Sequence, residues 1–152
     1  MIAQIPFFRQ ETDYSCGLAS MRMVLASLGI DKTEGELQIP MNYYSNGKAV
    51  WHKSFPNFAE QLKLTHITTR NSSLEDIEKL LNQDFRIIVS YFIPKEKVDH
   101  YSVIKRIDSS HIYLLDPWFG PKHKYTHKYF FRNWFDLENE KGWLFGVKKN
   151  EN

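Results

Sequence analysis

An α+β fold, with helices leading and an antiparallel sheet following, is what this 152-residue sequence predicts. Two observations carry the expectation. Apolar residues recur at helical spacing through most of the chain before residue 82, and from Phe85 the pattern changes to nearly continuous apolar and β-branched runs separated by short polar turns. A third observation says where to look for function: the only cysteine, Cys16, stands where the first helix begins.

From Gly17 onward, Leu18, Met21, Leu25 and Leu28 share one helical stripe, and Gly29 is placed as the stop. Cys16 therefore sits at a helix N-terminus, where unpaired N–H groups and the positive end of the dipole favour an anion. Six residues upstream, Gln10 is able to bring its side-chain NH2 beside the Cys16 backbone N–H, so that two donors converge on one oxyanion. Against this stands the commoner fate of a lone cysteine, a small buried hydrophobe.

Before that helix, Pro6 biases Ile5 towards an extended conformation, and Glu11 to Ser15 reads as a polar turn. Thr33 to Glu36 has the T-x-x-E form of a capping box, so a short helix through Leu37 is expected before Pro40. Met41 to Phe55 has no clear period, with a turn signal at Ser45-Asn46-Gly47; it reads as a long loop or broken helix. Phe55, Phe58, Ala59 and Leu62 recur as a helix, Leu64 to Thr69 reads as a strand, and Ser72-Ser73-Leu74-Glu75-Asp76 is a second capping signature before a helix whose apolar face is Leu74, Ile77, Leu80 and Leu81.

The sheet then follows in Phe85–Phe92, Tyr101–Ile107, His111–Leu115, Lys122–Thr126 and Trp143–Val147, while Tyr129–Phe135 fits helix and strand alike. Asp108-Ser109-Ser110 joins two of these strands as a hairpin. A turn centred near Ser109 places residue 100 opposite about residue 118, so His100 and Asp116 come to the same end of the sheet. Pro117 removes a ladder donor and stops the strand at the aspartate. A carboxylate on one imidazole nitrogen fixes the tautomer and leaves the other nitrogen for the Cys16 proton.

The runs Q-E-T-D-Y-S-C-G-L-A-S from Gln10, D-H-Y-S-V-I from Asp99 and L-L-D-P-W-F-G from Leu114 resemble the signature blocks of bacteriocin-processing, double-glycine-leader cysteine peptidases of the papain-like clan. The resemblance implies a papain-like fold in which a helix carrying Cys16 packs on an antiparallel sheet carrying His100 and Asp116, with Gln10 in the oxyanion hole. It implies hydrolysis of a peptide bond, with leader-peptide processing as the specific form and an exporter as associated partner. Relatives in the clan also include acyltransferases and deamidases, and members lacking the cysteine act as non-catalytic peptide-binding modules. Met41–His66 matches none of the blocks. Trp51, Asp99, Tyr101 and Trp118 are the candidate substrate-binding residues.

Composition bounds the remaining possibilities. With 42% hydrophobic and 15% aromatic residues the chain is expected to form one globular domain over residues 1–152, and a net charge of +2 gives no basic excess for nucleic acid. One cysteine excludes an internal disulfide framework, and no run approaches the ~18 apolar residues of a membrane span, so a cytoplasmic location is expected. No cofactor is expected. His123 and His127 stand four apart as metal ligands would on a helix, but no third ligand is evident among the surrounding lysines. Lysines and aromatics interleaved over 122–134 suit single-stranded nucleic acid, but Asp136, Glu138 and Glu140 dilute any basic field there, which leaves core aromatics with solvated lysines as the account.

Overall fold

The computed structural model describes residues 4–43 and 50–150. The elements run α1 (Cys16–Ser27), α2 (Glu34–Leu37), α3 (Ser54–Gln61), β1 (Thr65–Thr69), α4 (Leu74–Asn82), β2 (Arg86–Ile93), β3 (Val98–Ile107), β4 (His111–Asp116), β5 (Gly120–Thr126), α5 (His127–Asn133) and β6 (Leu144–Lys148). Both expected capping boxes form, Thr33 with Glu36 and Ser73 with Asp76. The open segment after β5 is the helix α5, started by the Thr126 hydroxyl, which accepts the Tyr129 N–H. The Ser45-Asn46-Gly47 turn signal lies outside the described residues. Among those described, no helix is long and apolar enough to cross a membrane.

The strands form one antiparallel sheet in the order β1-β6-β2-β3-β4-β5, so the last strand is inserted between β1 and β2. Alternation along each strand gives the sheet two covered faces. On one, Ile88, Tyr101, Val103, Leu115 and Phe145 pack with Leu18, Met21 and Leu25 of α1 and with Phe55 and Phe58 of α3. On the other, Ile87, Val89, Ile104 and Leu114 pack with Ile77 of α4 and Phe130 of α5. Burial on nearly every side of α1 explains why its sequence is apolar almost all round, with Arg22 its only charge.

The β3–β4 pairing runs Ile107↔Ile112 and Arg106↔Tyr113, shifts at a bulge, and continues Ile104↔Leu114 and Val103↔Leu115. Continued along the strands, that register brings residue 100 opposite 118, as the turn at Ser109 predicts. The segment before α1 is tied to the turn after β4: the Gln10 N–H donates to the Pro117 carbonyl (3.0 Å) and Arg9 Nη1 to the Trp118 carbonyl (2.7 Å). These bonds bring the start of α1 to the sheet end that carries His100 and Asp116.

Gly17, next to the cysteine, sets the closeness of that approach. A Cβ there would lie 2.9 Å from Val50 Cβ and 3.1 Å from Tyr101 Cδ2. Gly17→Ala is expected to cost about 1–3 kcal/mol through overpacking. Thermal unfolding reads that loss, and a substitution with no loss would show that α1 is free to move off the sheet.

Candidate active site

Cys16 opens α1 and is 7% exposed, packed among apolar side chains yet lining a cleft of about 510 Å³. His100 Nε2 donates to Asp116 Oδ1 at 2.8 Å, which leaves Nδ1 as the other ring nitrogen, and Cys16 is near enough for its charge to act on the imidazole. Cys16 and His100 line the same cleft, with Asp116 bonded to the imidazole behind them. His100 and Asp116 are almost fully removed from water, at 7% and 0% exposure, whereas a buried charge is tolerated only when paired and hydrogen-bonded.

Asp116 meets that condition. Its Oδ1 also accepts the Trp118 and Phe119 N–H groups, both at 2.9 Å, and its Oδ2 accepts the Tyr91 hydroxyl at 2.5 Å. Burial opposes ionisation, but the hydrogen bond and charge of His100, with the Phe119 N–H and Tyr91 hydroxyl, outweigh it and hold the carboxyl below its usual range. Burial likewise pulls the His100 pKa down, while the Cys16 charge and the hydrogen bond and charge of Asp116 push it up to about 10. The arrangement favours an imidazolium beside the sulfur.

Tyr91 escapes sequence reasoning although a signal was present. Pro94 to Lys97 forms the β2–β3 turn, and the register that follows sets Tyr91 directly across from His100. Asp136 reads in the sequence only as a diluting charge, and nothing there pairs it with His52, which lines the cleft beside Trp51. In the structure His52 Nε2 bonds Asp136 Oδ2 at 2.7 Å, its Nδ1 lies 2.6 Å from the Tyr101 hydroxyl, and its ring stacks on Trp143. With Glu140, these residues place three potential metal-ligand atoms within 4.8 Å of one another. Each already has a protein partner, since Glu140 also accepts from Arg70 Nε. His123 lies on β5 and His127 opens α5, so the two share no helical face, contrary to the spacing argument for a metal.

Trp51, Asp99 and Tyr101 line the same cleft as Cys16. Tyr101 does so as a buried wall, its hydroxyl within 2.9 Å of the Val50 carbonyl. Trp118 does not line it; the side chain is 45% exposed and its backbone serves Asp116 and Arg9. Gln10 Nε2 donates to the Thr12 carbonyl at 2.8 Å, which fixes the sense of the amide and leaves its second N–H uncommitted. No Gln10–Cys16 hydrogen bond is present.

The sequence model of the Peptidase_C39 like family matches residues 2–141. The chain belongs to that family. No curated protein matches it. Among solved structures, a putative C39-like peptidase from Bacillus anthracis superposes with a TM-score of 0.79 at 15% identity, covering 100% of this chain and 98% of the other. A double glycine motif protease from an AMS/PCAT transporter, in complex with its leader peptide, gives 0.75 at 20% identity over 98% and 94%. The peptidase domain of Streptococcus ComA, a bifunctional ABC transporter in a quorum-sensing pathway, gives 0.73 at 14% identity over 95% and 98%. This member of the C39-like family therefore has the papain-like α+β architecture of those peptidases.

Proposed function

We propose that the protein is a cysteine peptidase whose nucleophile is Cys16, whose acid–base residue is His100 and whose orienting carboxylate is Asp116. The observation that carries the reading is the buried His100–Asp116 hydrogen bond with Cys16 and His100 lining one cleft. The thiolate attacks the scissile carbonyl carbon. The oxyanion so formed is held by the Cys16 backbone N–H and the uncommitted Gln10 side-chain N–H, and the C–N bond breaks as His100 gives its proton to the leaving amine. Water then attacks the thioester, yielding its proton to His100, and release of the acid regenerates the thiolate.

An extended peptide fits the cleft. Trp51 (55% exposed) and Leu137 offer apolar surface at its rim. Leader-peptide cleavage after paired glycines is the specific form proposed, by analogy with the relative bound to its leader peptide. The test is a synthetic leader peptide carrying Gly-Gly at the junction, with products identified by mass spectrometry. Cleavage after the second glycine supports the assignment, cleavage elsewhere retains the peptidase and removes the leader specificity, and binding without cleavage identifies a non-catalytic module. Gln10→Ala is expected to lower kcat about a hundredfold or more, as loss of one oxyanion donor does, with KM little changed.

A further inference from the structure

We infer that His52, Asp136 and Glu140 form a binding site for one divalent transition-metal ion of the zinc class, in the wall of the cleft and independent of the reaction proposed above. The converging atoms are His52 Nε2, Asp136 Oδ2 and Glu140 Oε2. Nε2 stands 2.7 Å from Oδ2 and 3.8 Å from Oε2, and the three lie within 4.8 Å of one another. Tetrahedral ligands about 2.0–2.2 Å from zinc are roughly 3.3–3.6 Å apart, so movements of under about 1 Å seat the ion.

The hydrogen bonds behind His52 leave this point in need of positive charge. The carbonyl of the buried Val50 only accepts, so the single Tyr101 hydroxyl proton goes to it, at 2.9 Å. The phenol oxygen then accepts from His52 Nδ1, 2.6 Å away, which makes Nε2 the lone-pair nitrogen of the neutral ring. Nε2 and two carboxylate oxygens thus converge as acceptors, with no neutral donor between them. A second proton on the ring serves only the Asp136 oxygen, since Glu140 at 3.8 Å is beyond hydrogen-bond reach. A dication serves all three.

Each side chain is also fixed through its other polar atom, as metal ligands commonly are. The Oδ1 of the buried Asp136 accepts the Glu138 and Glu140 N–H groups at 2.9 and 3.0 Å, and Glu140 Oε1 accepts from Arg70 Nε. Stacking on Trp143 sets the plane of the His52 ring. These partners occupy atoms the ion does not need, so only the Nε2–Oδ2 bond is exchanged, and any proton in it leaves to solvent. One imidazole nitrogen with two carboxylate oxygens suits zinc-class ions, whereas Ca2+ and Mg2+ take shells of oxygen. The fourth position opens to water in the cleft.

The experiment titrates Co2+, whose visible absorption reports tetrahedral coordination, into the whole chain carrying Cys16→Ala, so that the sulfur is not a ligand. One Co2+ per chain is expected, displaced by Zn2+, with a melting temperature that rises with Zn2+ concentration. In the same background Tyr101→Phe, which removes the acceptor behind the ring, is expected to weaken binding about 10- to 100-fold without changing the stoichiometry. His52→Ala and Glu140→Gln are expected to weaken it further. Glu140→Gln keeps an oxygen for Arg70 on a partly exposed side chain and so preserves the fold. Absence of saturable Co2+ or Zn2+ binding overturns the inference, as does affinity unchanged in His52→Ala or Glu140→Gln, which would place the ion on other residues. Ca2+ binding as tight as Zn2+ overturns the assignment of the ion. Failure of peptide cleavage leaves all of these results standing, and failure here leaves the proposed reaction standing.

Discussion

Cys16→Ala is expected to abolish peptide cleavage, with a loss of about four orders of magnitude or more, because no other group in the cleft replaces the nucleophile and partners in one catalytic unit fail together. Purified Cys16→Ala protein assayed beside wild type decides this, and cleavage that survives the substitution would remove the sulfur from the mechanism. The same variant tests the ion pair. His100, at about 10 against an ordinary 6.5, has a raised pKa in the fold. Its contribution to stability is therefore complete below the unfolded value and is lost as pH climbs through about 10. The Cys16 charge is the leading influence raising that pKa, with burial the larger one opposing it. Without the sulfur, the fall in melting temperature between pH 6.5 and 10 should be shallower than in wild type. Equal slopes would mean that His100 owes its charge to Asp116 alone.

How much of this site the sequence makes legible depends on the distance over which each relation acts. The start of α1 at Cys16, both capping boxes and the β3–β4 hairpin are local, and each is specified by a few adjacent side chains competing with nothing distant. That is why His100 and Asp116 were placed at one sheet end from a turn alone, even with a bulge between turn and site. The bond between Asp136 and His52 joins residues 84 apart, across a sheet whose last strand is threaded between β1 and β2. Hydrophobic alternation says which face a strand buries but not which strand lies beside it. Glu34 illustrates a different limit. Its helix is legible from the capping box, but a charged residue turning inward contradicts the pattern, and the donor that receives it, the Glu11 N–H, lies far off in the chain.

Asp116→Asn separates the charge of the buried partner from its geometry. The amide oxygen can take the place of Oδ1, keeping the donors from His100, Trp118 and Phe119, while the NH2 group takes the place of Oδ2 and the Tyr91 hydroxyl rotates from donor to acceptor. The variant is expected to fold with His100 in its native orientation. What it lacks is the negative charge, so kcat/KM should fall about 10- to 100-fold, in keeping with the loss of a charge-assisted bond. With one of the influences that raise the His100 pKa removed, the imidazolium should deprotonate at lower pH, and the alkaline limb of kcat/KM should move down from about 10. Asp116→Ala, by contrast, leaves a buried cation and several buried donors without their acceptor, at a cost of about 3–5 kcal/mol in stability. Melting curves and pH–rate profiles of the two variants distinguish the roles. If the asparagine protein lost stability as the alanine protein does, with the limb unmoved in whatever activity remained, Asp116 would be a structural keystone of the β4–β5 turn rather than the group that keeps His100 charged.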